Sequence, residues 1–138
     1  MSWDERYLGL AEYIAGWSKD PSTKTGAVIV RPNNTVVSIG FNGFPRGITD
    51  DERLNNRELK YELILHCEIN ALVTASRDVS GCTLYTWPFL SCSRCASVMI
   101  QAGIKKIVAP VNMNTRWAAN LELSRELFAE AGVEVVEL

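Results

Sequence analysis

Histidine is nearly missing from this chain: among 138 residues there is one, His66, so whatever imidazole chemistry the protein performs rests on that position. Long apolar runs are missing as well. None approaches the roughly 18 to 20 residues that span a bilayer, and the first ten residues, MSWDERYLGL, lack the unbroken apolar stretch of a signal peptide. These absences predict a cytoplasmic protein without membrane contact. An excess of one charge is lacking too, because 14 Lys and Arg stand against 16 Asp and Glu, a net charge of -2. Such a balance creates no field to hold a polyanion, so a small-molecule ligand is expected and a nucleic acid is not. Cysteine is sparse at four, and without an export signal these thiols are expected to stay reduced or to bind metal.

The apolar share of 47% is enough for a core, and no repeat, linker or low-complexity stretch interrupts it, so residues 1–138 read as one domain. Ser2 and Glu5 make a capping box for a helix from Trp3 to about Trp17, with Trp3, Tyr7, Leu10 and Ile14 on one face. SKDPSTKTG follows as a loop. Two apolar runs, 25–31 and 35–41, are parted by Pro32, Asn33 and Asn34 and predict a hairpin. The glycine-containing segment that follows reads as a long polar connection, functional or mobile. Helices are expected from His66 to about Ser76, from about Ser93 to Ala102 and from Arg116 to Ala131, and strands at 82–86, 106–109 and 133–136. The resulting order, α-β-β-α-β-α-β-α-β, predicts a three-layer α/β fold: a mixed five-stranded sheet with helices on both faces and right-handed crossovers.

Two short motifs carry chemistry. H-x-E at His66 and Glu68 opens one predicted helix, and C-x-x-C at Cys92 and Cys95 opens another 26 residues later. One imidazole and two thiols are what a catalytic zinc uses, the fourth position staying open to water, whose pKa the ion can lower toward about 7. Helix N-termini favour anionic groups and would hold both cysteines as thiolates. A structural zinc normally takes four protein ligands, and the remaining candidates are Cys82 and Cys67, the latter too close to His66 for easy joint chelation. Glu68 is placed to move protons.

With these motifs in place the chain resembles the zinc-dependent cytidine deaminase superfamily, and within it the deoxycytidylate (dCMP) deaminases. The resemblance runs from Ser18 to Val136 through SKDPSTKTGAVIV, GFNGFPRG with TDD after it, HCEINAL, LYTWPFLSCSRCA and IQAGIKKIV. It implies hydrolysis of dCMP to dUMP with release of ammonia. His66, Cys92 and Cys95 would hold zinc, and Glu68 would take a proton from the activated water and pass it to N3 and then to the leaving ammonia. The backbone N–H of Cys67 would point toward the pyrimidine oxygen. Asn42 in GFNG resembles the family's sugar-hydroxyl contact; Lys24 and Ser18 are candidates for the 5'-phosphate; Trp87 and Trp117 are candidates for the wall of the base, and Arg116 for a phosphate clamp. Two departures stand out: Ser91 where the family typically has Pro, and Cys67 where it usually has Ala. Cys67 adds an oxidisable thiol.

The resemblance also implies a homo-oligomer, commonly a hexamer, with dCTP and dTTP as effectors at the GFNG region. Against regulation stand a short 51–66 segment and the lack of another histidine for the second zinc of some members. Rival readings are deamination of CMP or a 5-substituted dCMP, of adenosine in tRNA, which the net charge disfavours, or a non-catalytic, zinc-stabilised nucleotide sensor. Glu68 separates the last of these, because a structural zinc needs no acid beside a ligand.

Overall fold

In the computed structural model, which describes residues 1–112 and 115–138, five strands form one sheet. They are β1 (Gly26–Val30), β2 (Val36–Phe41), β3 (Thr83–Trp87), β4 (Lys106–Ala109) and β5 (Glu134–Glu137), and they lie in the order β2-β1-β3-β4-β5. β1 runs antiparallel to both neighbours, whereas β3, β4 and β5 are parallel, so the sheet is mixed as the element order predicts. The β1–β2 turn uses Asn34 at a φ of 68°, a left-handed conformation that asparagine tolerates.

Helix α1 (Trp3–Ala15) covers one face, against Val28, Val30, Tyr85 and Val108. Helices α3 (Cys67–Ala75), α4 (Ser93–Ala102) and α5 (Ala118–Ala131) cover the other, against Ala27, Ile29, Leu84 and Ile107. All five residues of β1 are buried, as expected for a strand packed on both faces. α4 and α5, the crossover helices of the parallel half, pack on the same side of the sheet.

Three expectations are corrected. First, the 42–65 connection is not all loop: Asp51 caps a 3-10 turn at Glu52–Asn55, and Asn56 caps helix α2 (Arg57–Leu63), its side chain accepting from Leu59 N at 3.2 Å. Leu54 and Lys60 are buried there, so this short amphipathic turn hides in a polar run. Secondly, Trp3 is not part of the buried face of α1. It is 48% exposed and stacks on Tyr7, while Ala11, Ile14 and Ala15 turn inward. Backbone approach selects that face, because a Cβ on Gly26 would lie 2.2 Å from Ala11 O. Thirdly, the last helix begins two residues later than expected, after a 3-10 turn at Thr115–Trp117. Among the described residues no helix is long and apolar enough to cross a membrane.

Gly40 on β2 is the contact that seats α3. A Cβ there would lie 2.5 Å from both Ala71 N and Cys67 O, and Ser38 Oγ donates to Ala71 O at 2.7 Å alongside. Gly40→Ala is therefore expected to lower the unfolding free energy by about 2 to 3 kcal/mol in a urea titration. Gly9→Ala, on the exposed face of α1 with nothing within 4 Å, is expected to raise it by about 0.5 to 1 kcal/mol.

Candidate active site

The site forms where two helices begin. His66 is the N-cap of α3 and Cys92 the N-cap of α4; both have extended backbone and neither uses its side chain as a cap, so both side chains are available to face one another. Capping of α4 comes instead from α5: Asn120 Oδ1 accepts from Ser93 N at 3.0 Å, and its Nδ2 donates to Ser93 Oγ at 3.0 Å. Cys95 sits in the first turn of α4 and is buried. The ligand atoms of His66, Cys92 and Cys95 lie within 4.8 Å of one another, with His66 Nδ1 3.2 Å from Cys95 Sγ and 3.5 Å from Cys92 Sγ. This is the one such cluster of three among the described residues.

The two sulfurs shift in opposite directions. The Cys95 thiol, donating to Cys92, pushes the Cys92 thiol down to about 4, and the neighbouring His66 reinforces this against the cost of burial. That same hydrogen bond, together with burial and the Glu68 carboxylate, pushes Cys95 up. The contact with Cys92 also raises His66 above its ordinary value, with burial opposing. One nitrogen and two sulfurs within this spacing suit zinc, and three donors leave a fourth tetrahedral position for water or substrate. The other two cysteines do not join the cluster: Cys82 is packed in the core, and the Cys67 thiol donates to Glu68 Oε1 at 3.0 Å.

Glu68, 5% exposed, lines the same cavity as His66, Cys92 and Cys67. Cys67 is the first residue of α3, so its N–H has no acceptor within the helix, as expected of a donor toward a ligand. Burial is the main force that keeps its own thiol protonated, pushing it well above the ordinary value, with the Glu68 carboxylate adding to this. A thiol in that state and 1% exposed is poorly placed for oxidation. Ser91 is also buried, and its hydroxyl has no hydrogen-bond partner among the described residues.

Asn42, Trp87, Arg116 and Trp117 line the cavity as the sequence predicts, the Arg116 guanidinium lying 5.0 Å from the Trp117 ring centre. Lys24 and Ser18 do not. Lys24 Nζ donates to the Ser18 main-chain carbonyl, and Ser18 Oγ donates to the Asn42 carbonyl at 2.9 Å, so both brace the loop under Asn42. The structure brings in residues that the sequence reading missed: Arg57, Lys60, Tyr61 and Ile64 from α2 and its end, Asp20 and Thr25 from the first loop, and Phe89 beside the metal loop. A signal for the α2 group was present: Asn56 precedes RELKYEL, a run of good helix formers with leucines four apart at 59 and 63.

Comparison with known proteins agrees with this geometry. Residues 1–111 match the cytidine and deoxycytidylate deaminase zinc-binding region. The "Uncharacterized deaminase in luxG 3'region" of Aliivibrio fischeri is 42% identical over 139 residues, covering 99% of this chain and 93% of that protein. The deoxycytidylate deaminase of Mus musculus is 38% identical over 142 residues, covering 96% of this chain and 78% of that one. Among solved structures, the dCMP deaminase of the cyanophage S-TIM5 in complex with dCMP and dUMP superposes with a TM-score of 0.75 at 28% identity, over 97% of this chain and 95% of that one. With the zinc-ligand geometry, the sheet order and these matches in agreement, the chain belongs to the cytidine and deoxycytidylate deaminase zinc-binding family.

Proposed function

We propose that this chain, acting as one domain, hydrolyses dCMP to dUMP and ammonia. The observation that carries the reading is that Glu68, His66 and Cys92 line one cavity with Asn42, Arg57 and Arg116, while Cys95 completes the ligand cluster of His66 and Cys92. A sensor stabilised by zinc would have no use for a carboxylate buried beside the ligands.

Zinc held by His66, Cys92 and Cys95 would supply a Lewis acid that lets water attack C4 of the base at neutral pH. The protein's own groups do the rest. Glu68 accepts the first proton that the attacking water loses and delivers it to N3, then takes the second from the hydroxyl left on C4 and hands it to the departing amine, so that one water enters and one ammonia leaves. The Cys67 N–H meets the pyrimidine oxygen. Trp87, Phe89 and Ile64 give the ring an apolar wall, and Asn42 meets a sugar hydroxyl. The 5'-phosphate falls to Arg57 and Arg116, both of which line the cavity and are exposed. In this reading Arg116 keeps the clamp role expected of it and Arg57 takes the place of Lys24 and Ser18.

An oligomer that binds dCTP or dTTP near the GFNG segment belongs to the same proposal. The association itself, not the effectors, is supported by an aromatic stripe at that edge: Tyr13, Trp17 and Phe41 are 68%, 48% and 37% exposed, and their rings meet edge to face at 5.9 and 6.2 Å. Light scattering is expected to give a mass several times that of the chain, falling when Trp17 and Phe41 are changed to Ser.

Metal analysis is expected to find about one zinc per chain, and Cys95→Ala is expected to lose metal and turnover together; full zinc occupancy in that variant would remove the ligand assignment. Glu68→Gln is expected to keep zinc and fold yet lose turnover by about 10²-fold or more, since proton transfer alone contributes on that scale. An ammonia-release assay across dCMP, CMP, deoxycytidine and 5-methyl-dCMP is expected to favour dCMP. Arg57→Ala should cost about ten- to a hundredfold in kcat/KM on dCMP and little on deoxycytidine, because the nucleoside has no phosphate to lose. A wild-type enzyme equally fast on both would move the substrate toward the nucleosides.

A further inference from the structure

A buried ion pair in the cavity wall has no part in the chemistry above. Lys60 on α2 and Asp20 in the first loop are 6% and 4% exposed, and Lys60 Nζ lies 3.1 Å from Asp20 Oδ1. The carboxylate is fully engaged. Oδ1 also accepts from Ser22 N at 2.8 Å and from Thr23 N at 3.4 Å, while Oδ2 accepts from Asn42 Nδ2 at 3.3 Å. Asn42 donates its other amide hydrogen to Thr23 O at 2.9 Å, and its Oδ1 accepts from Thr25 N at 2.9 Å.

Turning that amide over would set Nδ2 against the Thr25 N–H and Oδ1 against a carboxylate and a carbonyl, three repulsive contacts in place of three bonds. Both N–H groups being spent, the side chain keeps only the second lone pair of Oδ1. We infer that Asp20 and Lys60 are positioning residues that fix Asn42 as a hydrogen-bond acceptor, so that it recognises a substrate hydroxyl that donates. Asp20 supplies the charge that orders the amide, and Lys60 is what lets a carboxylate stay charged in the interior. The inference rests on the reading of Asn42 as the sugar contact, and it makes the 3'-hydroxyl of the deoxyribose a requirement set at a distance by α2.

The test compares kcat/KM on dCMP with kcat/KM on 2',3'-dideoxycytidine monophosphate, which keeps base and phosphate and lacks the donating hydroxyl. The wild-type enzyme is expected to prefer dCMP by on the order of 10- to 100-fold, the effect of leaving a buried acceptor unpaired. In Lys60→Met the preference is expected to fall below about fivefold, through loss on dCMP rather than on the dideoxy compound. Lys60→Arg, which keeps the charge, is expected to hold the preference. The double variant Asp20→Ala with Lys60→Met leaves no lone ion in the interior, so it decides the matter if the single variant does not fold; it should lose the preference too. Zinc content and melting temperature are followed in each variant. A wild-type preference near one would overturn the sugar-contact reading of Asn42 itself. A large wild-type preference that survives in the folded Lys60 or double variant, or an equal loss on both substrates, would overturn the positioning role.

Discussion

Three donor atoms from two separate helices have to come within bonding reach of one ion, and that requirement governs how this chain is assembled. The parallel half of the sheet meets it on one side: α4 starts just beyond the carboxyl end of β3, which is where α/β sheets gather their ligands. On the other side α3 has to come down close on β2, and Gly40 allows it, since a single methyl group there would collide with Cys67 and Ala71. His66 and Glu68 hang from the same turn as Cys67. The separation of donor atoms is therefore set by backbone contact in the core, not by the flexibility of the side chains that carry them.

The same arrangement settles the charges. The start of each helix presents unpaired N–H groups and the positive end of the helix dipole, an environment that favours sulfur as an anion. Cys92 takes that role, held down by the thiol of Cys95 and by His66. Asn120 reaching across from α5 to Ser93 matters here: because another helix caps α4, Cys92 does not have to spend its side chain on the cap. Glu68 receives a hydrogen bond from Cys67, a thiol that burial keeps protonated, so the residue that departs from the usual alanine supplies a donor to the carboxylate beside the ligand cluster.

Legibility in the sequence followed the range of the interactions. H-x-E and C-x-x-C are local, each fixed within a single helical turn, so the ligands, Glu68 and the helices that carry them could be read directly. The mixed sheet followed from alternating strands and helices after a hairpin, whereas the place of β1 between β2 and β3 is given by the structure. The cavity wall was harder. Lys60 and Asp20 are 40 positions apart, and nothing local distinguishes a buried lysine from a solvated one in a run such as RELKYEL. Lys24 misled for the converse reason: a lysine in a polar loop beside the first strand looks open to a phosphate, yet its ammonium turns back onto the carbonyl of Ser18. Trp3 failed because its spacing put it on one face with Tyr7, Leu10 and Ile14, whereas close approach to Gly26 turns the helix toward Ala11 and Ala15.

The ion pair in that wall also shows why stability alone does not account for the site. Exchanging a buried pair for apolar residues of similar volume is often neutral or stabilising by about 1 to 4 kcal/mol, so selection for stability would have little reason to keep Asp20 and Lys60 charged. An apolar pair, however, would leave Nδ2 of Asn42 without one of its two acceptors, and only the backbone of Thr23 and Thr25 would then hold the amide against turning over. Specificity for a donating hydroxyl needs one end only. The loop that Ser18 and Lys24 brace and the helix that Lys60 brings meet at that single amide, so in the proposed reading two segments remote from the metal cluster set which hydroxyl the site accepts, while the helix starts hold the cluster itself.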